Sequence, residues 1–189
     1  VGLPVGVSDS HYYSVFPESV PESCFGYDDE YTQIEEMESG SGYWLRFLSP
    51  GSTDITGSAL NELDVNISEG WNIISGVSEI VDVNTGISDP MEILVPESVY
   101  GFDGTYVNSS VLEPGKGYWI RSLEGGSITI SSQNRSGYIR LPPVYPDANT
   151  LRVNGMEFYF GENISEIDPA FYSLPPKPPP GATDVRFFG

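Results

Sequence analysis

Few residues in this chain are suited to chemistry, and the first candidates are its single cysteine, Cys24, and its single histidine, His11. A thiol and an imidazole can act together as a nucleophile and its general base. However, Cys24 occupies the place that a repeated pattern gives to Val99, which predicts a buried apolar position. No carboxylate motif stands beside His11 to orient its ring. We therefore expect no catalysis by this pair, and no enzyme.

Lys116 lies between Gly115 and Gly117, as lysines do in loops that bind phosphate. The Gly-x-x-x-x-Gly-Lys-Ser/Thr spacing of those loops and the helix that follows it are both missing here. The expected role of Lys116 is that of a turn residue that balances nearby acidic groups.

Asp82, Asn84 and Asp89 place oxygen ligands at intervals typical of the start of a calcium-binding loop. Gly86 stands at the fifth position, where Asp or Asn is expected, and Leu94 lies near the twelfth, where the bidentate Glu should be. An acidic turn without metal is the favoured interpretation, calcium is the alternative, and no cofactor is expected.

The glycines around Lys116 belong to a tandem repeat. The run 38–46, which contains Gly-Ser-Gly-Tyr-Trp, returns 75 residues later as 113–121, which contains Gly-Lys-Gly-Tyr-Trp. The same offset holds without a gap over 21–46, and 12 of those 26 positions are identical. Repeats of this length are whole small domains rather than solenoid units.

The elements that carry these motifs are short runs of β-branched and aromatic residues between Gly, Pro and Asn turns. Helix propensity is poor, so the sequence predicts an all-β protein. We expect two tandem units of sandwich or jelly-roll type at 1–66 and 67–132, the first with an incomplete N-terminal strand. The remaining 133–189 should contain a β-hairpin at 151–160, which turns at Asn154-Gly155, and a polyproline segment at 173–181.

The formal net charge of −19 excludes nucleic acid and anionic membrane surfaces as natural partners. No apolar run approaches the roughly 20 residues of a membrane span, so no membrane insertion is expected.

The acidic composition, with only two lysines, is typical of extracellular chains. Because the chain begins at Val1 with neither Met nor a signal-like run, we expect a processed N-terminus. Four Asn-x-Ser sites are candidates for glycosylation: Asn66, Asn108, Asn134 and Asn163.

Three runs together resemble a family. They are Gly-Trp-Asn-Ile-Ile at 70–74, Pro-Gly-Lys-Gly-Tyr-Trp-Ile at 114–120, and the Pro-rich tail 172–187. The chain resembles a largely uncharacterised repeat region of large secreted bacterial proteins, which often lies upstream of a C-terminal sorting domain of the type IX kind. The resemblance implies secretion, an extracellular or cell-surface location and origin as part of a longer precursor. It brings no catalytic residues.

The Tyr-Trp pairs offer the next candidate site. Because neighbours on a strand point to opposite faces, one ring of each pair should face outward. Outward rings could form a platform for glycans, and the alternative is that both rings are packed in the core or under the adjoining hairpin. The four residues are Tyr43, Trp44, Tyr118 and Trp119.

The second unit opens with Gly-Trp-Asn-Ile, and the first unit has no counterpart of that half-strand before Val1. An unfilled edge tends to recruit a strand, so a strand from one copy could complete the sheet of the next. Alternatively, residues upstream of Val1 fill the edge in a longer chain. Candidate interface residues are Val1, Leu3, Val5, Val7, Phe158, Phe160, Val185 and Phe187.

These features predict a structural subunit of an extracellular bacterial filament or surface appendage, assembled head to tail from copies of itself. The alternative is a non-catalytic accessory module that binds carbohydrate or protein.

Overall fold

The computed structural model describes residues 1–133, 149–153, 156–160, 173–180 and 182, and the following account concerns these residues. Strands account for 40% of the residues and helix for 6%, which confirms the all-β prediction. The strands are Val5–Gly6 (β1), Phe25–Asp28 (β2), Glu30–Gln33 (β3), Ser58–Ala59 (β4), Glu62–Ile67 (β5), Gly70–Ser75 (β6), Val81–Asp82 (β7), Ile87–Ser88 (β8), Tyr100–Phe102 (β9), Tyr106–Asn108 (β10), Val111–Leu112 (β11), Gly117–Ser122 (β12), Gly126–Ser131 (β13), Asn149–Val153 (β14) and Met156–Phe160 (β15). Two single-turn helices are Tyr12–Val15 (α1) and Val83–Gly86 (α2). No described helix is long and apolar enough to cross a membrane.

The second unit contains two antiparallel sheets that share one core. One sheet has the strand order β10-β9-β12-β6, and the other has the order β5-β13-β8. β12 pairs with β6 from Gly117 opposite Ser75 to Ser122 opposite Gly70. Apolar side chains from both sheets fill the space between them: Val65, Ile67, Ile74, Val77, Val81, Ile87, Ile93, Val99, Leu112, Tyr118, Ile120, Ile128 and Ile130.

The first unit is smaller and less regular. It contains the hairpin β2–β3, the short ladder β1–β4 and the segment 41–47, which is held by isolated bridges. Its core is separate from that of the second unit and consists of Leu3, Tyr12, Val15, Phe16, Cys24, Met37 and Tyr43.

The two units repeat the same local frame. Trp44 exchanges backbone hydrogen bonds of 2.8 and 2.9 Å with Phe25, and 75 residues later Trp119 is opposite Tyr100. The backbone conformation at the two hairpin tips also corresponds. Asp29 has a φ of 58°, and its counterpart Gly104 has a φ of 72°. The sequence repeat is therefore a repeat of backbone geometry.

The structure places β5 differently from the predicted division at 66 and 67. This strand lies inside the predicted first unit, but it pairs with β13 along its whole length. Its buried residues Val65 and Ile67 belong to the core of the second unit. The two cores therefore separate before residue 60. The sequence did not indicate this, because an alternating pattern does not reveal which sheet a strand joins.

The units meet through their backbones at the Gly-x-Gly turns. Gly42 N donates to Ile73 O at 2.8 Å, and Ser75 N donates to Gly40 O at 2.8 Å. A Cβ atom on Gly42 would lie 2.5 Å from the carbonyl oxygen of Ile74. Glycine is therefore required here by the close approach of a second strand.

β14 and β15 form the predicted C-terminal hairpin, in which Val153 is opposite Met156 and Asn149 is opposite Phe160.

Residues 173–179 belong to no helix or strand. Five of the eight residues 173–180 are proline, and Leu174 and Lys177 each precede a proline. Proline fixes its own φ and disfavours the helical region for the residue before it, so this composition favours the polyproline II conformation.

Candidate functional site

The tyrosine of each Gly-Tyr-Trp motif holds the turn that precedes it. The hydroxyl of Tyr43 accepts a hydrogen bond from the backbone N–H of Glu38 at 2.8 Å. In the second repeat, the hydroxyl of Tyr118 accepts the N–H of Glu113 at 2.9 Å. Both tyrosines are buried, so this bond satisfies a polar group that would otherwise be costly to bury.

Each tryptophan of the motif packs against the hairpin of the other unit. The ring of Trp119 lies edge-on to Tyr27 and Tyr31 of the first unit, with centroid separations of 4.9 and 6.5 Å. The ring of Trp44 lies edge-on to Phe102 of the second unit at 4.8 Å. The two repeats therefore share one aromatic cluster at their interface.

This arrangement decides how much of the predicted glycan platform faces outward. Tyr43, Tyr118 and Trp119 are only 6%, 4% and 2% exposed. Trp44 is half-buried and is the member of the four that keeps accessible ring surface. A platform of several outward rings is not present at these four positions.

The Pro-rich segment lies on a matched pair of tyrosines, one from each hairpin. The hydroxyl of Tyr31 donates to the carbonyl oxygen of Lys177 at 2.8 Å, and that of Tyr106 donates to the carbonyl oxygen of Pro176 at 2.5 Å. Tyr31 and Tyr106 occupy the same position of the repeat. Pro175, next to this pair of contacts, is among the most fully buried residues.

Arg121 holds the start of the same segment. Its guanidinium donates a hydrogen bond to the Ser173 hydroxyl and lies 5.7 Å from the ring centre of Trp71. Contacts to the Pro-rich segment thus extend from Ser173 to Lys177.

Along one edge of the first unit, no described strand pairs beyond Val1. The segment 41–47 pairs with Phe25 on one side through Trp44, and on the other side Val1 accepts from Tyr43 N at 2.8 Å. The backbone groups of Leu45 point to the same side as those of Tyr43, because strand residues two apart share a side. Within the described part of the chain, no hydrogen bond reaches the backbone of Leu45.

The second unit shows what occupies the equivalent position. There, residues 70–73 of β6 pair with Trp119 to Ser122 of β12 and lie beside the hairpin strand β2. Beside the first unit, a cleft of about 410 Å³ lies at the corresponding place, between the edge at Leu45 and residues of the second unit. Its walls include Val1, Leu45 and Phe102. The cleft is bounded by a strand edge on one side and by the hairpin β9–β10 on the other.

The α-amine of Val1 is enclosed at the end of this cleft. It donates to the carbonyl oxygen of Tyr43 at 2.7 Å. Burial lowers the pKa of the amine from 8.0 to about 6, and the nearby Cys24 opposes this shift only partly. A charged amine is therefore poorly accommodated where the second unit has an ordinary peptide group.

The structure gives Cys24 and His11 different environments. Cys24 is fully buried, and burial raises the pKa of its thiol to about 11. His11 caps α1, where its Nδ1 accepts the N–H of Tyr13 at 3.2 Å, and its ring stacks on Tyr12.

The two aspartates among the candidate calcium residues cap backbone N–H groups, and Asn84 supplies one of these groups. Asp82 accepts the N–H groups of Asn84 and Thr85 at 2.9 and 3.0 Å. Asp89 accepts those of Ile93 and Leu94 at 3.1 and 2.8 Å. Among the described residues, no group of three or more His, Cys, Asp or Glu side chains could hold a metal ion.

Lys116 forms an exposed ion pair with Glu113 at 2.9 Å, and this hydrogen bond raises the pKa of the lysine.

Of the candidate glycosylation sites, Asn66 is exposed on β5. Asn108 is also exposed, but its side-chain amide donates to Glu97 O at 2.5 Å. Asn134 and Asn163 lie outside the described residues.

The candidate interface residues have different environments. Leu3 is buried in the first core, and Val1 and Val7 pack against that core. Val5 pairs with Ala59 in the β1–β4 ladder. Phe158 and Phe160 lie on β15, and Val185 and Phe187 lie outside the described residues.

Sequence reasoning did not single out Tyr31 and Tyr106. A signal existed, because both are aromatic and identical at the same place of the repeat, directly after a hairpin tip.

Comparison with protein-family models, curated proteins and solved structures finds no match to this chain.

Proposed function

We propose that this chain is a structural subunit of an extracellular bacterial filament or surface appendage, and that its copies join head to tail by β-strand complementation. The observation that supports the proposal most directly is the edge at Leu45, on which no other described residue pairs. A strand edge with free N–H and C=O groups is a template for another chain. The composition and the resemblance noted above favour the extracellular location.

The cleft beside this edge suits a strand better than a compact small molecule. Its walls repeat the environment in which residues 70–73 lie in the second unit. Apolar side chains are exposed just beyond the unpaired edge, since Phe47 is 37% and Leu48 is 82% exposed. A strand that extends past Phe47 would cover both of them and gain their burial.

The proposed donor is the hairpin β14–β15 of a neighbouring copy. These strands form a sheet of two, so each has a second edge on which no other described strand pairs. Apolar residues occupy alternate positions of both strands in the sequence. Because donor and acceptor are different surfaces, the contact is heterologous, and it produces a filament when the rotation between successive copies does not close a ring.

The test is sedimentation of three chains over a range of concentrations. The 189-residue chain should associate, whereas the same chain with Gly-Trp-Asn-Ile added before Val1 should stay monomeric, because the extension fills the edge in cis. An extension of the same length, Gly-Ser-Asn-Gly, is the matched control and should leave association intact. Association that is unchanged by Gly-Trp-Asn-Ile would contradict the proposed acceptor edge.

The donor is tested separately by a chain in which residues 149–160 are replaced by a Gly-Ser linker of equal length. This chain should not associate by itself but should still bind, as an acceptor, to the hairpin of an intact chain. Continued self-association of the replaced chain would exclude the hairpin as donor.

A second function, the accessory binding module, is favoured by one observation. The half-buried rings of Trp44 and Tyr100 line the same cleft. Half-buried rings of this kind can stack on sugars. If the chain is such a module, Trp44→Ala should abolish glycan binding by the monomer, while Trp71→Ala, a matched substitution outside the cleft, should not.

A further inference from the structure

We propose that Tyr31 and Tyr106 form a binding site for proline-rich peptides in the polyproline II conformation, and that residues 173–180 are its resident ligand. The site is independent of the strand edge at Leu45, and it assigns a recognition role to a pair of residues that the repeat duplicates. Its ligand class is an extended peptide with the pattern Leu-Pro-Pro-x-Pro-Pro.

The chemistry of a polyproline II segment determines what can recognise it. Such a helix makes no internal hydrogen bonds, and its prolines have no N–H, so the backbone offers acceptors almost exclusively. Two tyrosine hydroxyls supply the donors here, to the carbonyl oxygens of Pro176 and Lys177. Successive carbonyls of a helix with three residues per turn point about 120° apart, so two donors must approach from different directions.

The tandem repeat provides these two directions. Tyr31 stands on β3 of the first unit and Tyr106 on β10 of the second, each at the same place of its hairpin. Each ring is supported by the aromatic residue directly opposite it on the partner strand. Tyr27 supports Tyr31 with a centroid separation of 5.2 Å, and Phe102 supports Tyr106 at 5.4 Å.

The tyrosines are well prepared to act as donors. The two rings are held in contact with the shared aromatic cluster, so little side-chain freedom is lost when a ligand binds. Burial raises the pKa of Tyr31, and the neighbouring Tyr106 and Tyr27 raise it further. The hydroxyl of Tyr31 therefore keeps its proton over the whole physiological pH range.

Two further contacts fix the position and direction of the peptide. Pro175 is almost completely buried, which makes it the apolar anchor. Arg121, held against Trp71, donates to the side chain of Ser173 and so marks the N-terminal end of the ligand. Aromatic grooves with hydrogen-bond donors at their rims are a general solution for binding Pro-rich segments.

The experiment measures binding of a fluorescently labelled peptide, Ser-Leu-Pro-Pro-Lys-Pro-Pro-Pro, by fluorescence anisotropy. The acceptor is the full chain with Pro175→Gly and Pro176→Gly, which weaken the resident segment. Both core clusters lie within residues 1–130, so these substitutions should leave the fold intact, and circular dichroism verifies this. The labelled peptide should bind this chain and should bind the unsubstituted chain at least tenfold more weakly, because the tethered segment competes at a high effective concentration.

Specificity is tested with variants that keep the rings. Adding Tyr31→Phe and Tyr106→Phe to the acceptor should weaken binding about tenfold or more, since two hydrogen bonds are lost. Tyr13→Phe is the matched control and should have no effect, because Tyr13 is 43% exposed and lies away from the segment on α1. A peptide with Ala-Ala in place of Pro175 and Pro176 should not bind.

Two results would overturn the proposal. One is absence of peptide binding to the folded acceptor chain with the weakened segment. The other is binding that is equally strong with and without the two tyrosine hydroxyls, which would indicate unspecific contact with aromatic surface.

Discussion

At the scale of single residues, the glycines of the Gly-x-Gly turns allow the two repeats to touch. The sequence identified these glycines by their recurrence, and Gly40 and Gly115 adopt the positive φ that glycine permits in a turn. The role of Gly42 was not predictable, because it depends on the position of Ile73 and Ile74 in the other unit. A repeat reveals which residues matter in both copies, but it does not reveal what one copy contacts in the other.

Gly42→Ala should destabilise the protein by about 1–3 kcal/mol, because its Cβ would overlap the Ile73 side chain and the Ile74 carbonyl group. Urea denaturation measures this change. Gly6→Ala is the matched control, since its Cβ would meet only ordinary contacts at 3.8 Å, and its stability should be within about 0.5 kcal/mol of the parent. Equal effects of both substitutions would contradict the close approach of the units.

The buried amine of Val1 makes stability depend on pH in a polypeptide that starts at this residue. Its pKa is about 6 in the folded chain against 8.0 ordinarily, so the unfolded chain binds more protons between these values. Stability should therefore rise by about 2 kcal/mol from pH 6 to pH 8. Unfolding measured across this range should show the rise, and the N-acetylated chain, in which the amine cannot titrate, should lack it. The same slope in both chains would exclude the amine as its cause.

At the scale of elements, the two units differ by the strand pair β5 and β6. In the second unit, these strands complete both sheets by pairing with β13 and β12. In the first unit, the counterparts of β12 and β13 are the bridged segment 41–47 and the run 51–56, which is in no strand. The sequence indicated that residues 1–66 contain no counterpart of the half-strand 70–73. It did not show that β5 belongs to the second core, since its alternating pattern is compatible with either unit.

Ile130 and Ile55 occupy the same place of the repeat and test this difference directly. Ile130 is fully buried between two sheets, so Ile130→Ala should cost about 3–4 kcal/mol. Ile55 is half-buried beside an incomplete layer, so Ile55→Ala should cost about 1 kcal/mol. The comparison uses denaturant unfolding of the monomeric chain, and equal losses would show that the first unit is as complete as the second.

At the scale of the whole molecule, the repeats form one body because the tryptophan of each packs against the hairpin of the other. The all-β class and the C-terminal hairpin were predictable from local propensity and from the Asn154-Gly155 turn. The aromatic interface was not, since strand alternation alone predicts that one ring of each Tyr-Trp pair faces outward. Burial of that ring by Tyr27 and Tyr31 is a tertiary effect that no local pattern encodes.

Because the aromatic cluster joins the units, the chain should unfold in a single transition. Tryptophan fluorescence, which reports the interface, and far-ultraviolet circular dichroism, which reports all strands, should give the same midpoint. A destabilising change in one unit, such as Ile130→Ala, should shift both signals together. Separate midpoints would show that the units are thermodynamically independent.

The central claim is that the edge at Leu45 accepts a strand from another copy, and electron cryomicroscopy of native material that carries this chain tests it most directly. We predict regular filaments with one copy per repeat, in which a strand of the neighbouring copy pairs with residues 44–47 and occupies the cleft beside Phe102. Isolated particles would contradict this account, as would filaments in which residues preceding Val1 in the same chain fill the edge.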